Sequence, residues 1–211
     1  MAAPIGHIYL ALQILAGPLK TADEAQFIIG TSFPDIRYPA NLPRELTHMP
    51  NVTWHNIIEE RNSFKQGMLF HALVDQKHEK FMQKHQVDKL LPQIPHARSI
   101  LKALEDQLLF EKMKNRYCIR HFDKILDQEK SIVHDETIIR NWHTYLQNYF
   151  FYGPTLQTIR PFIKNSLPAL GPLQSLAEQG AVFGYKLGTI LLTFNKELIE
   201  LIKQFYDNFN H

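Results

Sequence analysis

Apolar side chains recur along this chain at a period near 3.6, and strand-like alternation is nearly absent, so the pattern predicts a mostly α-helical protein. Pro4 can open a first helix, which Gly17-Pro18 ends. Thr21, with Glu24 three positions later, forms a capping box before a short helix that closes at Gly30. From Thr31 to about Asn62 the pattern is irregular, with Pro34, Pro39, Pro43 and Pro50; a loop of that length inside a domain is usually functional. Strong helices are expected from Ser63 to about His85, from His96 to about Lys114 and from Glu136 to Phe151, with one or two shorter ones between Arg116 and Lys130. Beyond Gly153-Pro154 the chain should turn repeatedly, at Pro161, Pro168 and Pro172. A long helical segment, 173–211, then follows, broken near Gly180 to Gly188. No internal repeat or linker divides the sequence, which reads as one all-α domain over 1–211.

Composition narrows the class. At 211 residues, with 45% apolar and 21% charged residues, the chain can bury a sizeable core and is not disordered. A single cysteine, Cys118, excludes a disulfide framework and a cysteine-rich zinc ribbon. It has no evident base beside it and reads as structural. The net charge of +2 is too small to imply nucleic acid or an anionic membrane, and Lys and Arg are dispersed among acids. The apolar N-terminus lacks preceding basic residues and contains His7, so it reads as a helix rather than a secretion signal. No apolar stretch reaches the length of a membrane span. A cytoplasmic protein is expected, with peripheral membrane contact through the last 40 residues left open. Oligomeric state leaves no mark on the pattern.

The 11 histidines change the picture, because histidine is the usual metal ligand and proton carrier near neutral pH. In GMLFHALVDQKHEKF, Gly67, His71 and Asp75 stand four apart and His78 follows three later, all on one helical face. A histidine and a carboxylate one turn apart can hold one cation on a rigid rod. The apolar neighbours Met68, Leu69, Phe70, Leu73 and Val74 place that rod in the core, where an unpaired Asp75 would be costly. The alternative is a solvated polar stripe. Gly67 leaves room for close approach, Gly30 and Pro34 present Asp35 beside a helix end, and His7 lies amid Ile5, Ile8 and Leu10. His48 lies in the long loop, and His55 precedes Glu59 by four. Tyr38, Met49 and Trp54 could meet an apolar substrate part or simply pack, and Arg37 and Arg44 could receive a phosphate or simply be solvated.

Taken in order, GHIYLA, IIGTSFPDIRY, THMP and GMLFHALVDQKHEKF resemble the zinc-dependent phospholipase C family, whose all-α fold is shared with secreted zinc nucleases. The likeness covers about residues 5–82. It implies a multi-helix bundle that hydrolyses phosphate esters with metal-activated water. His71 and Asp75 match the helix-borne ligands of a central zinc, with Asp75 able to bridge two ions. Asp35 matches the carboxylate that activates water, His48 the loop ligand with His55 in reserve, and His7 the ligand of a neighbouring ion. The departures are plain. Met1 cannot supply the N-terminal tryptophan of the secreted enzymes, and His78 follows Asp75 more closely than the corresponding histidine does. No histidine in the second half has a glutamate four later. One or two ions are therefore expected rather than three: zinc, with iron or manganese as alternatives for a mixed histidine–carboxylate set.

The substrate class this implies is a phosphoester small molecule or a phospholipid, with nucleic acid ranked low. Two other readings remain. One is another all-α metal phosphodiesterase, of the acyl-carrier-protein phosphodiesterase or His-Asp phosphohydrolase type, with His134-Asp135 as the pair to test. The other is a non-enzymatic helical protein that keeps a remnant site.

Overall fold

A computed structural model of the chain describes residues 2–17, 19–94, 97–113, 117–159 and 192–209, together with 179, 182, 186 and 188–190. The structure is all-helical, and no strand occurs among the described residues. Its α-helices are α1 (Pro4–Leu15), α2 (Glu24–Ser32), α3 (Trp54–Glu59), α4 (Ser63–Lys84), α5 (Ala97–Phe110), α6 (Asp127–Ile132), α7 (Glu136–Tyr152) and α8 (Lys196–Asp207). Short 3-10 helices lie at Phe33–Arg37, Arg44–Leu46, Val87–Leu90 and Tyr117–Asp123. The expected turns at Pro161, Pro168 and Pro172, and most of 173–191, fall outside the described residues.

Local chemistry sets the boundaries. Asp23, not Thr21, caps α2: its side chain accepts from the Gln26 N–H at 3.0 Å, satisfying an orphan donor of the first turn. Thr21 instead donates to Ser63 Oγ at 2.9 Å and so fastens the entry to α2 against the start of α4. Helix α2 does not stop at Gly30. It runs to Ser32 and tightens into the Phe33–Arg37 turn, with Pro34 near its start. The stretch from 31 to 62 is thus not structureless but holds two 3-10 turns and α3.

The central packing event is the crossing of α2 and α4. A Cβ built on Gly30 would collide with the Phe64 carbonyl oxygen, and one built on Gly67 would collide with the Phe27 carbonyl oxygen and lie 2.7 Å from the Thr31 nitrogen. The two glycines therefore let the backbones of α2 and α4 touch, where any side chain would hold them apart. Around this crossing Ile5, Ile8, Leu10, Phe27, Ile28, Phe33, Phe70 and Val74 are fully or almost fully buried. Helix α8 closes one side with Leu198, Ile202, Phe205 and Tyr206, and Phe209 beyond it packs on Phe70 and Trp54. No described helix is long and apolar enough to cross a membrane.

Candidate metal centre

Helix α4 carries His71 and Asp75 one turn apart into the core, both almost completely buried. Close backbone contact at Gly67 brings the end of α2 alongside, and the His71 Nδ1–H donates to the Thr31 carbonyl at 2.8 Å. That bond fixes the tautomer and leaves the Nε2 lone pair of His71 facing Asp75 Oδ2 at 3.7 Å. His7, from α1, stacks on His71 with ring centroids 3.8 Å apart and planes 6° from parallel. Its Nε2 lies 3.3 Å from Asp75 Oδ1, at ion-pair distance but without hydrogen-bond geometry.

His48 enters from the loop that follows the Arg44–Leu46 turn. The Thr47 hydroxyl donates to the Arg44 carbonyl at 3.4 Å, so its oxygen accepts from the His48 Nδ1–H at 2.8 Å. His48 Nε2 is thereby left as an acceptor, 3.7 Å from Asp75 Oδ2. Asp35, on the Phe33–Arg37 turn, completes a group with His48 and His71 whose ligand atoms lie within 4.8 Å of one another. His7, His71 and Asp75 form a second such group, sharing His71 with the first. Asp75 Oδ1 also accepts from the Ala2 N–H at 3.0 Å.

The electrostatics suit a cation. Burial, and then the neighbouring His71, push His7 down to about 4 and His48 down to about 3, so both imidazoles are neutral at pH 7. Burial pushes the Asp75 carboxyl up, but the positive charge of His71 and His7 in their protonated forms outweighs it and holds the group below the usual carboxylate range. His7 Nε2, His48 Nε2, His71 Nε2 and Asp75 Oδ2 are all buried without a hydrogen-bond partner. Lone pairs converging on a carboxylate oxygen in a desolvated pocket are unfavourable unless a positive species sits among them. Imidazole nitrogen with carboxylate oxygen is a zinc-type donor set that also serves iron and manganese. The residues fit a divalent ion.

The structure thus brings together His7, Asp35, His48, His71 and Asp75. It does not bring in His78, on the same helical face, or His55, the reserve for the loop ligand. His78 turns to another helix and pairs with Glu105 of α5 at 2.9 Å. His55 is 79% exposed on α3, 4.0 Å from Glu59. His134-Asp135 makes no metal site either: both are exposed, and the Asp135 side chain caps α7 by accepting from the Thr137 N–H. Cys118 is buried, and burial raises its thiol to about 11, which removes it as a nucleophile. Trp54 packs against Phe70 and Phe209 instead of opening onto a cleft, whereas Tyr38 and Met49 are exposed.

Spacing in the sequence did not disclose four contributions. They are the Thr31 carbonyl and Thr47 hydroxyl that orient the imidazoles, the Ala2 N–H on Asp75, and Arg44, whose Nη2 lies 3.7 Å from Asp75 Oδ2. The THMP motif holds Thr47 next to His48, a local signal for that hydroxyl. Comparison with known protein families, curated proteins and solved structures finds no match for this chain.

Proposed function

We propose that this chain is a metal-dependent hydrolase of phosphate esters, similar in fold and chemistry to the zinc-dependent phospholipase C family. One observation carries the reading: three buried imidazole nitrogens from α1, α4 and the loop after Arg44–Leu46 face the two oxygens of Asp75 without a hydrogen-bond partner. His71, His48 and Asp75, with His7 and Asp35 on either side, would hold one or two ions, zinc first and iron or manganese as alternatives. A bound divalent ion supplies an acidified water at neutral pH and neutralises charge on a phosphoester. Asp35, half-buried beside His48 and His71, would accept a proton from the attacking water at its carboxylate oxygen. The hydrogen bonds from His48 Nδ1 to Thr47 and from His71 Nδ1 to Thr31 would leave Nε2 of each neutral ring as the ligand atom.

The test is elemental analysis of protein purified without chelator, together with hydrolysis of bis(p-nitrophenyl) phosphate. Wild type should carry about one to two equivalents of transition metal and turn the diester over. His71→Ala and Asp75→Ala should lose the metal and the hydrolysis yet keep their helical circular dichroism, because a chain of 211 residues does not depend on the ion for its core. Metal retained at wild-type stoichiometry in the double variant would refute the assignment.

A further inference from the structure

We infer that Arg44 is the anion-recognition residue of this centre, forming with the bound cation a seat for a phosphoryl group; the inference rests on the metal-site reading above.

The geometry begins with the backbone. The Arg44 carbonyl accepts from the His48 N–H at 2.8 Å and from the Thr47 N–H at 3.1 Å. Arg44 is therefore clipped into the same turn that delivers a ligand histidine, and its position is set by that turn. Its side chain is 47% exposed, yet Nη2 reaches to 3.7 Å from the buried Asp75 Oδ2. The guanidinium thus spans the boundary between solvent and centre. Arg37, on the Phe33–Arg37 turn, donates from Nη2 to the Tyr38 hydroxyl at 2.7 Å, and its guanidinium lies 4.0 Å from the Tyr38 ring centroid.

Charge then decides the role. Arg44 Nη2, His48 Nε2 and His71 Nε2 all point at the same Asp75 oxygen. A divalent ion held by those imidazoles and that carboxylate would stand close to a permanent guanidinium cation. The Asp75 carboxylate they share carries one negative charge, which does not offset a divalent ion and a guanidinium together, and a further anion between the two would offset the excess. A guanidinium fork matches the paired oxygens of a phosphate, and the metal takes a third oxygen. Metal and phosphoryl group should consequently bind cooperatively, each raising the affinity of the other by the same factor.

The experiment uses full-length zinc-loaded protein and isothermal titration with inorganic phosphate and, separately, dimethyl phosphate, for wild type, Arg44→Ala and Arg44→Lys. Zinc affinity is measured in parallel by chelator competition with and without each anion. In Arg44→Ala, anion affinity should drop about 10- to 100-fold, as for loss of charge-assisted hydrogen bonds. Its zinc affinity without anion should be at least that of wild type, because a competing cation has gone. Arg44→Lys should fall between, keeping charge without the fork. Arg44 dependence in either titration supports the seat, and its distribution between them tells a monoester-like from a diester-like ligand. Wild-type zinc binding with anion affinity unchanged in Arg44→Ala would overturn the Arg44 assignment alone. Failure of wild type to bind zinc would overturn the metal-site reading, and this one with it.

Discussion

At the residue scale, orientation of the imidazoles separates a metal centre from a mere collection of histidines. His48 would serve as a ligand through Nε2 because the Thr47 oxygen accepts its Nδ1–H, and that oxygen is an acceptor because its own hydrogen is directed to the Arg44 carbonyl. Thr47→Val keeps the volume and removes the acceptor. The imidazole can then turn or take the other tautomer, and zinc affinity should fall about 10-fold or more, as for other lost outer partners of metal-bound histidines. Chelator competition reads this directly, and unchanged affinity would show that Thr47 does not orient the ring. His71 and Asp75 were legible in the sequence because a four-residue spacing on a helix is local geometry. Asp35, His48 and His7 stood out by their local context, but their meeting in one centre came only from a family resemblance, since their spacing says nothing about where loop and helix meet. Arg44 and the Ala2 N–H converge on Asp75 from positions 31 and 73 residues away, which no periodicity can encode.

At the scale of elements, two glycines do most of the positioning. The sequence suggested that Gly30 ends a helix and that Gly67 makes room, and only the second survives. Gly30 is interior to α2, and both glycines serve a backbone-to-backbone crossing. That crossing sets the Thr31 carbonyl against His71, so local packing and site geometry are one feature. Gly67→Ala would drive a methyl group into the Phe27 carbonyl and the start of the Thr31 peptide, groups that cannot turn aside. Overpacking of this kind costs about 1–3 kcal/mol. The loss should appear as a fall in Tm of several degrees, together with weakened zinc binding as α2 moves off α4. A variant with wild-type Tm would show that the helices separate without strain. Long helices were legible because their periodicity survives minor slips of boundary. The stretch from 31 to 62 was not, because its short 3-10 turns are fixed by tertiary contacts, not by an apolar stripe.

At the scale of the whole molecule, buried carboxylates outside the centre hold the helices in place, and they give the protein a pH signature distinct from metal binding. Glu105 of α5 takes His78 of α4 and the Tyr206 hydroxyl of α8, at 2.9 and 3.1 Å. Glu129 of α6 takes His143 of α7 at 2.8 Å. Asp106 accepts the Gly6 N–H at 3.0 Å, an orphan donor of the first turn of α1, and the Tyr149 hydroxyl of α7 at 2.8 Å. Acidic residues inside helices read as solvated from sequence alone, so none of these was anticipated. Burial raises the Asp106 carboxyl to about 8, against the pull of Tyr149 and the backbone N–H groups of Ile5 and Gly6. The fold therefore keeps a proton that the unfolded chain releases near its ordinary value of about 3.9. Stability from this group is fully present below that value and is lost as pH rises towards 8, by up to about 1.4 kcal/mol per pH unit. His7 and His48 act in the opposite sense: they are neutral in the fold and protonated when unfolded, so they weaken the protein only below about 6.5. Between pH 6.5 and 8 the Asp106 slope should therefore stand clear of theirs. Urea midpoints in chelator should fall across that window for wild type and stay nearly level for Asp106→Asn, whose amide oxygen can still accept from Gly6 while its nitrogen faces the Tyr149 hydroxyl. A level wild-type profile would mean that Asp106 is ionised within the fold. The helix carrying His7 would then be anchored by a charge rather than by a neutral acid.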